Sequence, residues 1–277
     1  MKKIIPTTLW ILVALIPMSC STDSNDIPKN DGPTKENKKN ITVLKNYTST
    51  ETYKGDSDTF IVDFTYDDAG NVTNHYTTYE AKAGNTTTKS KSECTYTYNN
   101  KKQLIGIVEV NDKNKRVKNY TFEYDTKGQM TKSIDIDNNI TLEFKHNSSK
   151  QITEAMYLSN KLVSTTNFEY DHNGNLINAG ENDNANIVES YTYDQHNNPF
   201  KNMPINIPLH YINTTAFDIM YYYKPTNNIQ SYNIHNSTVG DLTYEYNEDN
   251  YPISSVTKNN RGIKKEQFSY NQMTVNK

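Results

Sequence analysis

Six histidines, two cysteines and a recurrent aspartate are the residues of this chain best equipped for chemistry. His75, His146, His172, His196, His210 and His235 never fall at the HxH or HExxH spacing that points two imidazoles at one metal. Three of them sit in or beside turn-like segments, where a solvated ring is the expectation. Asp67, Asp125, Asp171 and Asp194 each open such a segment, and a calcium reading of them fails on arithmetic. Each is an isolated carboxylate whose oxygen can accept the backbone N–H two residues on, whereas calcium takes about six to eight oxygens gathered in one place. Cys94 lies in the strand-like run Ser92-Glu-Cys-Thr-Tyr-Thr-Tyr98 with no neighbour that would activate a thiolate, and reads as a small buried hydrophobe. No GxSxG elbow, Walker loop or GxGxxG occurs. The chain thus predicts no metal, no cofactor and no catalytic residue, and an enzyme is the least favoured function class.

The N-terminus carries a different chemistry. Lys2 and Lys3 precede the apolar stretch Leu9 to Ile16, which ends in Pro17-Met18-Ser19-Cys20, the layout of a secretory signal and too short to span a bilayer. The Ser19-Cys20 step resembles the bacterial lipobox, with Pro17 and Met18 as departures from its usual residues. That resemblance implies that Cys20 is acylated and becomes residue one of the mature chain. A triacylated cysteine would supply the two or more chains that stable attachment takes, at about 0.8 kcal/mol per buried methylene. The competing reading is an ordinary signal-peptidase cut near Cys20 and a secreted product. With Cys20 consumed by lipid, Cys94 has no disulfide partner. The polar run Ser21 to Asp26 resembles the surface-export leader of Bacteroidota-type lipoproteins, which implies the outer membrane, on its cell-surface or periplasmic face. Residues 1–19 are thus expected as signal peptide, 20–40 as a flexible tether with Pro28 and Pro33, and 41–277 as one domain.

Composition says how that domain folds. The mean hydropathy of -0.87 is low for a globular core, yet 22 Tyr and 8 Phe supply large side chains that a disordered chain of this polarity would lack. Asn is about one residue in seven and clusters between aromatic pairs, which is turn chemistry repeated. With a net charge of -3 and only the short basic runs Lys113 to Arg116 and Lys264-Lys265, nucleic acid is not an expected partner.

One unit recurs at eight places: aromatic, any residue, aromatic, Asp or Asn, two residues, Gly or Asn, a polar and an apolar residue. Its pairs are Phe64/Tyr66, Tyr96/Tyr98, Phe122/Tyr124, Leu142/Phe144, Phe168/Tyr170, Tyr191/Tyr193, Tyr244/Tyr246 and Phe268/Tyr270. In Tyr124-Asp-Thr-Lys-Gly-Gln-Met130 the spacing predicts a type I turn closed by a left-handed residue, with Asp125 facing Gln129 and Tyr124 facing Met130 on one side of the sheet. The same arithmetic pairs Tyr66 with Val72, Tyr98 with Leu104 and Tyr170 with Leu176. Gly70, Gly128 and Gly174 take the left-handed slot, Asn197 and Asn250 substitute there, and Lys102 is the misfit.

Two strands per unit plus flanking runs give roughly sixteen consecutive antiparallel strands, more than an open twisted sheet holds without curling. The predicted fold is all-β, a long meander of repeated hairpins strongly curled into an open or partial barrel. The Tyr-Asp-x-x-Gly-Asn unit, with Tyr193-Asp-Gln-His-Asn-Asn-Pro-Phe200, resembles a family of Bacteroidota lipoproteins of unknown function whose domain is porin-like, over about residues 40 to 275. A fainter resemblance is to the YD repeats of Rhs-type shell proteins. Neither resemblance carries catalytic residues. A bilayer-spanning porin is disfavoured, because Thr131-Lys-Ser-Ile-Asp-Ile136 puts Lys132 on the same face as Ile134.

One segment escapes the repeat, an irregular insertion over 195–229 with four prolines between Pro199 and Pro225. It is expected at one rim, as a plug or as the lining of a ligand site, and Phe200, His210, Tyr211, Tyr221 and Tyr222 are its candidate binding residues. The function expected is a non-catalytic envelope module for a glycan or peptide. The alternative is a structural or accessory lipoprotein that binds another envelope protein.

Overall fold

The computed structural model describes residues 38–113, 115–181, 189–203, 225–234, 237–259 and 262–276. These form β1 (Lys38–Tyr53), β2 (Asp56–Tyr66), β3 (Val72–Ala83), β4 (Thr86–Tyr98), β5 (Leu104–Asn111), β6 (Arg116–Tyr124), β7 (Met130–Asp135) and β8 (Ile140–Ser148). They continue as β9 (Gln151–Leu158), β10 (Lys161–Tyr170), β11 (Leu176–Glu181), β12 (Glu189–Tyr193), β13 (Ile229–Ile234), β14 (Ser237–Tyr246), β15 (Pro252–Asn259) and β16 (Gly262–Asn276). Sequential strands pair antiparallel, and β1 also pairs β16, from Lys38↔Asn276 to Thr52↔Ile263.

The sheet is therefore a closed barrel, and the expectation of an open or partial one is corrected. The reason lies in the repeat. β16 ends in the same aromatic unit as the other even strands, so Tyr270 meets Leu44 of β1 as Tyr66 meets Val72 and Tyr98 meets Leu104. The last repeat finds the first, and no sheet edge is left along the seam.

At one end of the barrel, the repeat end, the turns follow from the sequence. The Asp125 N–H donates to the Gln129 carbonyl at 2.9 Å, and the Gly128 N–H to the Asp125 carbonyl at 3.1 Å. Gly128 has φ +81°, a region that strains a residue with a Cβ. Asp125 Oδ1 accepts the N–H groups of Lys127 and Gln129, both at 2.9 Å, so the aspartate is consumed by its own loop. Asn99 and Asn247 open the same turn in other units. Lys102, the expected misfit, takes the left-handed slot at φ 60°, held by that turn. Asn197 does not, because its N–H instead donates to the Asn250 carbonyl as the chain departs into the insertion.

A second irregularity repeats just inside the turn. Tyr124 pairs Met130 while Glu123 pairs Lys132, so Thr131 is one residue too many. Ile105, Thr73, Ile177 and, at the seam, Lys45 are extra in the same way. The bulge turns one carbonyl out of the ladder, and an inward tyrosine of the next even strand satisfies it. Tyr66 donates to the Leu44 carbonyl at 2.5 Å, Tyr98 to Val72 at 2.9 Å, Tyr124 to Leu104 at 2.8 Å, Tyr193 to Leu176 at 2.6 Å and Tyr270 to Pro252 at 2.6 Å. In the fourth unit His146 Nε2 donates to the Met130 carbonyl at 2.7 Å. That unit is thus Phe144/His146, two residues on from the expected Leu142/Phe144, since histidine also offers a donor at the end of a planar ring.

The inward faces form the core. Bulge residues such as Leu44, Val72, Leu104 and Leu176, and the ring layer of Phe64, Tyr96, Phe122, Phe144 and Phe168, are buried, in one cluster on β1–β8 and a smaller one on β10–β14. Outward positions are mostly Thr, Asn, Ser, Glu and Lys, with scattered exposed apolar residues such as Ile61, Val108 and Ile253, and many form cross-strand pairs: Thr65 with Thr73 at 2.9 Å, Asn46 with Asp63 at 2.8 Å, Thr192 with Ser231 at 2.7 Å and Lys132 with Glu143 at 3.3 Å. A bilayer-spanning barrel needs an outward apolar band, and this wall is built the other way round.

Candidate functional site

The insertion leaves β12 and rejoins β13 at the repeat end, and its described flanks are tied down there. Asn198 N–H donates to the Thr226 carbonyl at 3.1 Å, and Thr226 Oγ1 to the Asn173 carbonyl at 2.6 Å. Asn202 Nδ2 donates to the Thr42 carbonyl at 2.9 Å and to the Tyr251 hydroxyl at 3.0 Å. Asp194 accepts from the hydroxyl of Tyr246, whose ring stacks on His196 at 3.9 Å. The anchoring displaces β14 by two positions, so Tyr244 rather than Tyr246 reaches the freed Ile229 carbonyl, at 2.7 Å. Phe200, expected at the rim as a binding contact, is buried beside Met203 in the larger core cluster. It packs the loop onto the core, and it also borders a small cavity. His210, Tyr211, Tyr221 and Tyr222 lie outside the described residues, as does Cys20.

Beneath Phe200 is a cavity of about 40 Å³ between Tyr47, Asn228, Tyr244, Glu266 and Phe268, room for a water or two. Its carboxylate is fully engaged. Tyr47 donates to Glu266 Oε1 at 2.6 Å, Lys264 Nζ lies 2.8 Å from the same oxygen, and Ser255 donates to Oε2. Burial alone would raise the pKa of Glu266, but the Lys264 charge and these donors outweigh it and hold the carboxyl below its usual range. Burial, then the Glu266 charge, pushes Tyr47 well above the ordinary phenol value. Glu154 is the contrasting acid. It is buried on β9 between Phe144 and Thr166 in register, neither oxygen has a hydrogen-bond partner among the described residues, and burial raises its pKa to about 8. His75 is lowered to about 3 by burial, its Nδ1 lying 2.7 Å from the Tyr96 hydroxyl, and is held neutral. Cys94 is buried, as expected, its thiol pushed up by burial and by the Glu109 charge. Among the described residues no group of three metal-ligating side chains gathers.

The opposite end is uneven. β1 to β4 and β16 run 11 to 16 residues, while β5 to β13 run 5 to 10. The β4–β5 register ends at Ser92↔Asn111, with one more bond from the Asp112 N–H to the Lys91 carbonyl at 2.9 Å, which leaves Thr86–Ser90 projecting as a tall wall with β1–β3. On the inner face of this wall the register aligns Ser255, Glu266, Ser49, Phe60, Tyr79 and Ser90 in one row across six strands. The Phe60 and Tyr79 rings are 4.7 Å apart, and Tyr79 donates to Asp58 Oδ1 at 2.8 Å, which raises its phenol pKa. The next row holds Thr257, Lys264, Glu51 and Asp58, and Tyr53 stands beyond it, 46% exposed. The row thus passes from deep burial at Ser255 and Glu266 through half-buried Phe60 and Tyr79 to exposed Ser90.

No sequence signal of a motif kind singled out Tyr53, Phe60 and Tyr79, because they lie outside the repeated turns. The one readable sign was two-residue alternation over Glu51–Tyr53 and Asp56–Phe60, which cannot say which face is the inside.

No family model matches the chain, and no curated protein matches it. Among solved structures the chain is similar to the crystal structure of a porin-like protein from Bacteroides uniformis, at 10% identity over 82% of this chain and 96% of that one, with a TM-score of 0.44. It is also similar to a porin-like protein from Bacteroides vulgatus, at 12% identity over 83% of this chain and 99% of that one, with a TM-score of 0.24.

Proposed function

We propose that the chain is a lipid-anchored cell-envelope protein that works as a non-catalytic binding module, taking its ligand at the tall wall and not inside the barrel. The supporting observation is a contrast in aromatic use. The rings of the repeat are spent on the core and on freed carbonyls, whereas Tyr53, Phe60 and Tyr79 share one inner face that solvent reaches. The Glu266 carboxylate at the small cavity is held by Tyr47, Lys264 and Ser255, which argues against a role in turnover. The anchor reading rests on Cys20 and its leader, and the water-compatible outer wall leaves attachment to the lipid.

The test has two parts. Mass spectrometry of membrane fractions is expected to find the N-terminal peptide acylated at Cys20, and Cys20→Ala to release the protein; a soluble form beginning elsewhere defeats the anchor. Arrays of glycans and peptides probed with wild type and Tyr53→Ala are expected to lose a shared set of hits with the ring. Unchanged hits move the binding surface elsewhere, with the insertion next in line for an envelope-protein partner.

A further inference from the structure

The tall wall separates its charges by face. Alternation along the strands puts Glu51, Asp56 and Asp58 on the inner side with the three aromatic rings, and Lys82, Lys89 and Lys91 on the outer side. Among the described residues Lys264 is the lysine in these inner rows, and Glu266 already holds it at 2.8 Å. On the outer side Lys89 pairs with Glu80 at 2.7 Å, so opposite charges are matched there. None of the three inner carboxylates is in an ion pair among the described residues. Asp58 accepts from Tyr79 and Asp56 from the Gly84 N–H at 3.0 Å, neutral donors that fix each group and leave its charge unpaired among the described residues.

Two further observations bear on the missing partner. The inward hydroxyls of Thr257, in the row of Lys264, Glu51 and Asp58, and of Thr77, in register with Val62 at the foot of the wall, are buried with no hydrogen-bond partner among the described residues, and each can meet a polar group. At its top the ammonium of Lys54 lies 5.0 Å from the centroid of the Tyr53 ring, which shows that this ring takes a cation over its face. Carboxylates beside aromatic faces stabilise an organic cation by charge and by the ring quadrupole together, and a neutral ligand would use only half of that arrangement.

Resting on the binding-module reading above, we infer that the inner face of the tall wall is a docking site for an extended basic peptide, its Lys or Arg side chains seated among Tyr53, Phe60, Tyr79, Glu51 and Asp58. Charge complementarity selects this occupant.

The experiment titrates the full chain with a short alternating Lys-Thr peptide, a matched Glu-Thr peptide and a neutral maltodextrin. The Lys-Thr peptide is expected to bind, to weaken as salt rises, and to lose roughly tenfold or more in affinity with Glu51→Gln/Asp58→Asn. Glu80→Gln on the outer face is expected to change nothing, and thermal melts of all variants to match wild type because the substituted groups stand outside the core. Equal binding by the double variant, or preference for the Glu-Thr peptide, overturns the inference. Maltodextrin binding that depends on Tyr53, with no Lys-Thr binding, overturns it while the module reading stands. Loss of neither ligand with Tyr53→Ala removes both.

Discussion

The repeat end and the tall wall are made of the same alternating strands, yet one spends its turn carboxylates and its tyrosine hydroxyls on the backbone and the other keeps such groups in reserve. At the repeat end each turn aspartate is bound by its own backbone and each bulged carbonyl meets a tyrosine or a histidine. At the tall wall, rings and carboxylates stand on a face that reaches beyond the shorter described strands β5 to β10. Stability is thus placed at the repeat end, and the recognition we propose falls at the opposite end, where the strands of the tall wall are longest.

The sharpest break in that comparison comes from deleting one ring at each end. Phe122→Ala, in the buried layer, is expected to cost about 3–5 kcal/mol in urea unfolding, whereas Tyr53→Ala is expected to stay within about 0.5 kcal/mol of wild type. Comparable losses would mean that the tall wall is part of the core.

Next in size is a pH effect. Glu154 has a folded pKa raised to about 8 against an ordinary value of 4.5, so the folded chain holds a proton that the unfolded chain gives up. Its contribution is fully present below about pH 4.5, declines as pH rises toward 8, and is lost above it. The span is on the order of a few kcal/mol at about 1.4 kcal/mol per tenfold change in proton affinity. Glu154→Gln is expected to flatten the melting temperature across that window. An unchanged pH profile in the variant would assign the slope to another group.

Smaller effects test the latches. Tyr98→Phe leaves the Val72 carbonyl without its donor and is expected to cost about 1–3 kcal/mol, more than Tyr53→Phe. Gly128→Val, at φ +81°, is expected to cost about 1 kcal/mol or more. Asp125→Asn should lie within about 0.5 kcal/mol, because asparagine already opens the turns at Asn99 and Asn247. If denaturant midpoints put Gly128→Val level with wild type, the left-handed turn is not what fixes the hairpin register.

Periodicity of two and the Asp-x-x-Gly turn were enough to read the strands, the facing pairs and the inward rings from the chain, because both are local properties carried by residues a few positions apart. His146 escaped that reading, since only the freed Met130 carbonyl explains why a histidine stands where a tyrosine is usual. Asn197 escaped it for a similar reason: its conformation is set by Asn250, far away in sequence. The inner face of the tall wall was illegible, because Tyr53, Phe60 and Tyr79 belong to no motif and become neighbours only through cross-strand register.

Closure likewise belongs to the tertiary structure. The unit in β16 was visible, but that its Tyr270 would find Leu44 depends on the summed twist and stagger of every intervening hairpin. Gly262 shows the margin, since a Cβ there would collide with the Thr52 carbonyl oxygen. Local chemistry determined the hairpin; only the whole ring could decide that the first and last strands meet, and which strands outgrow the rest.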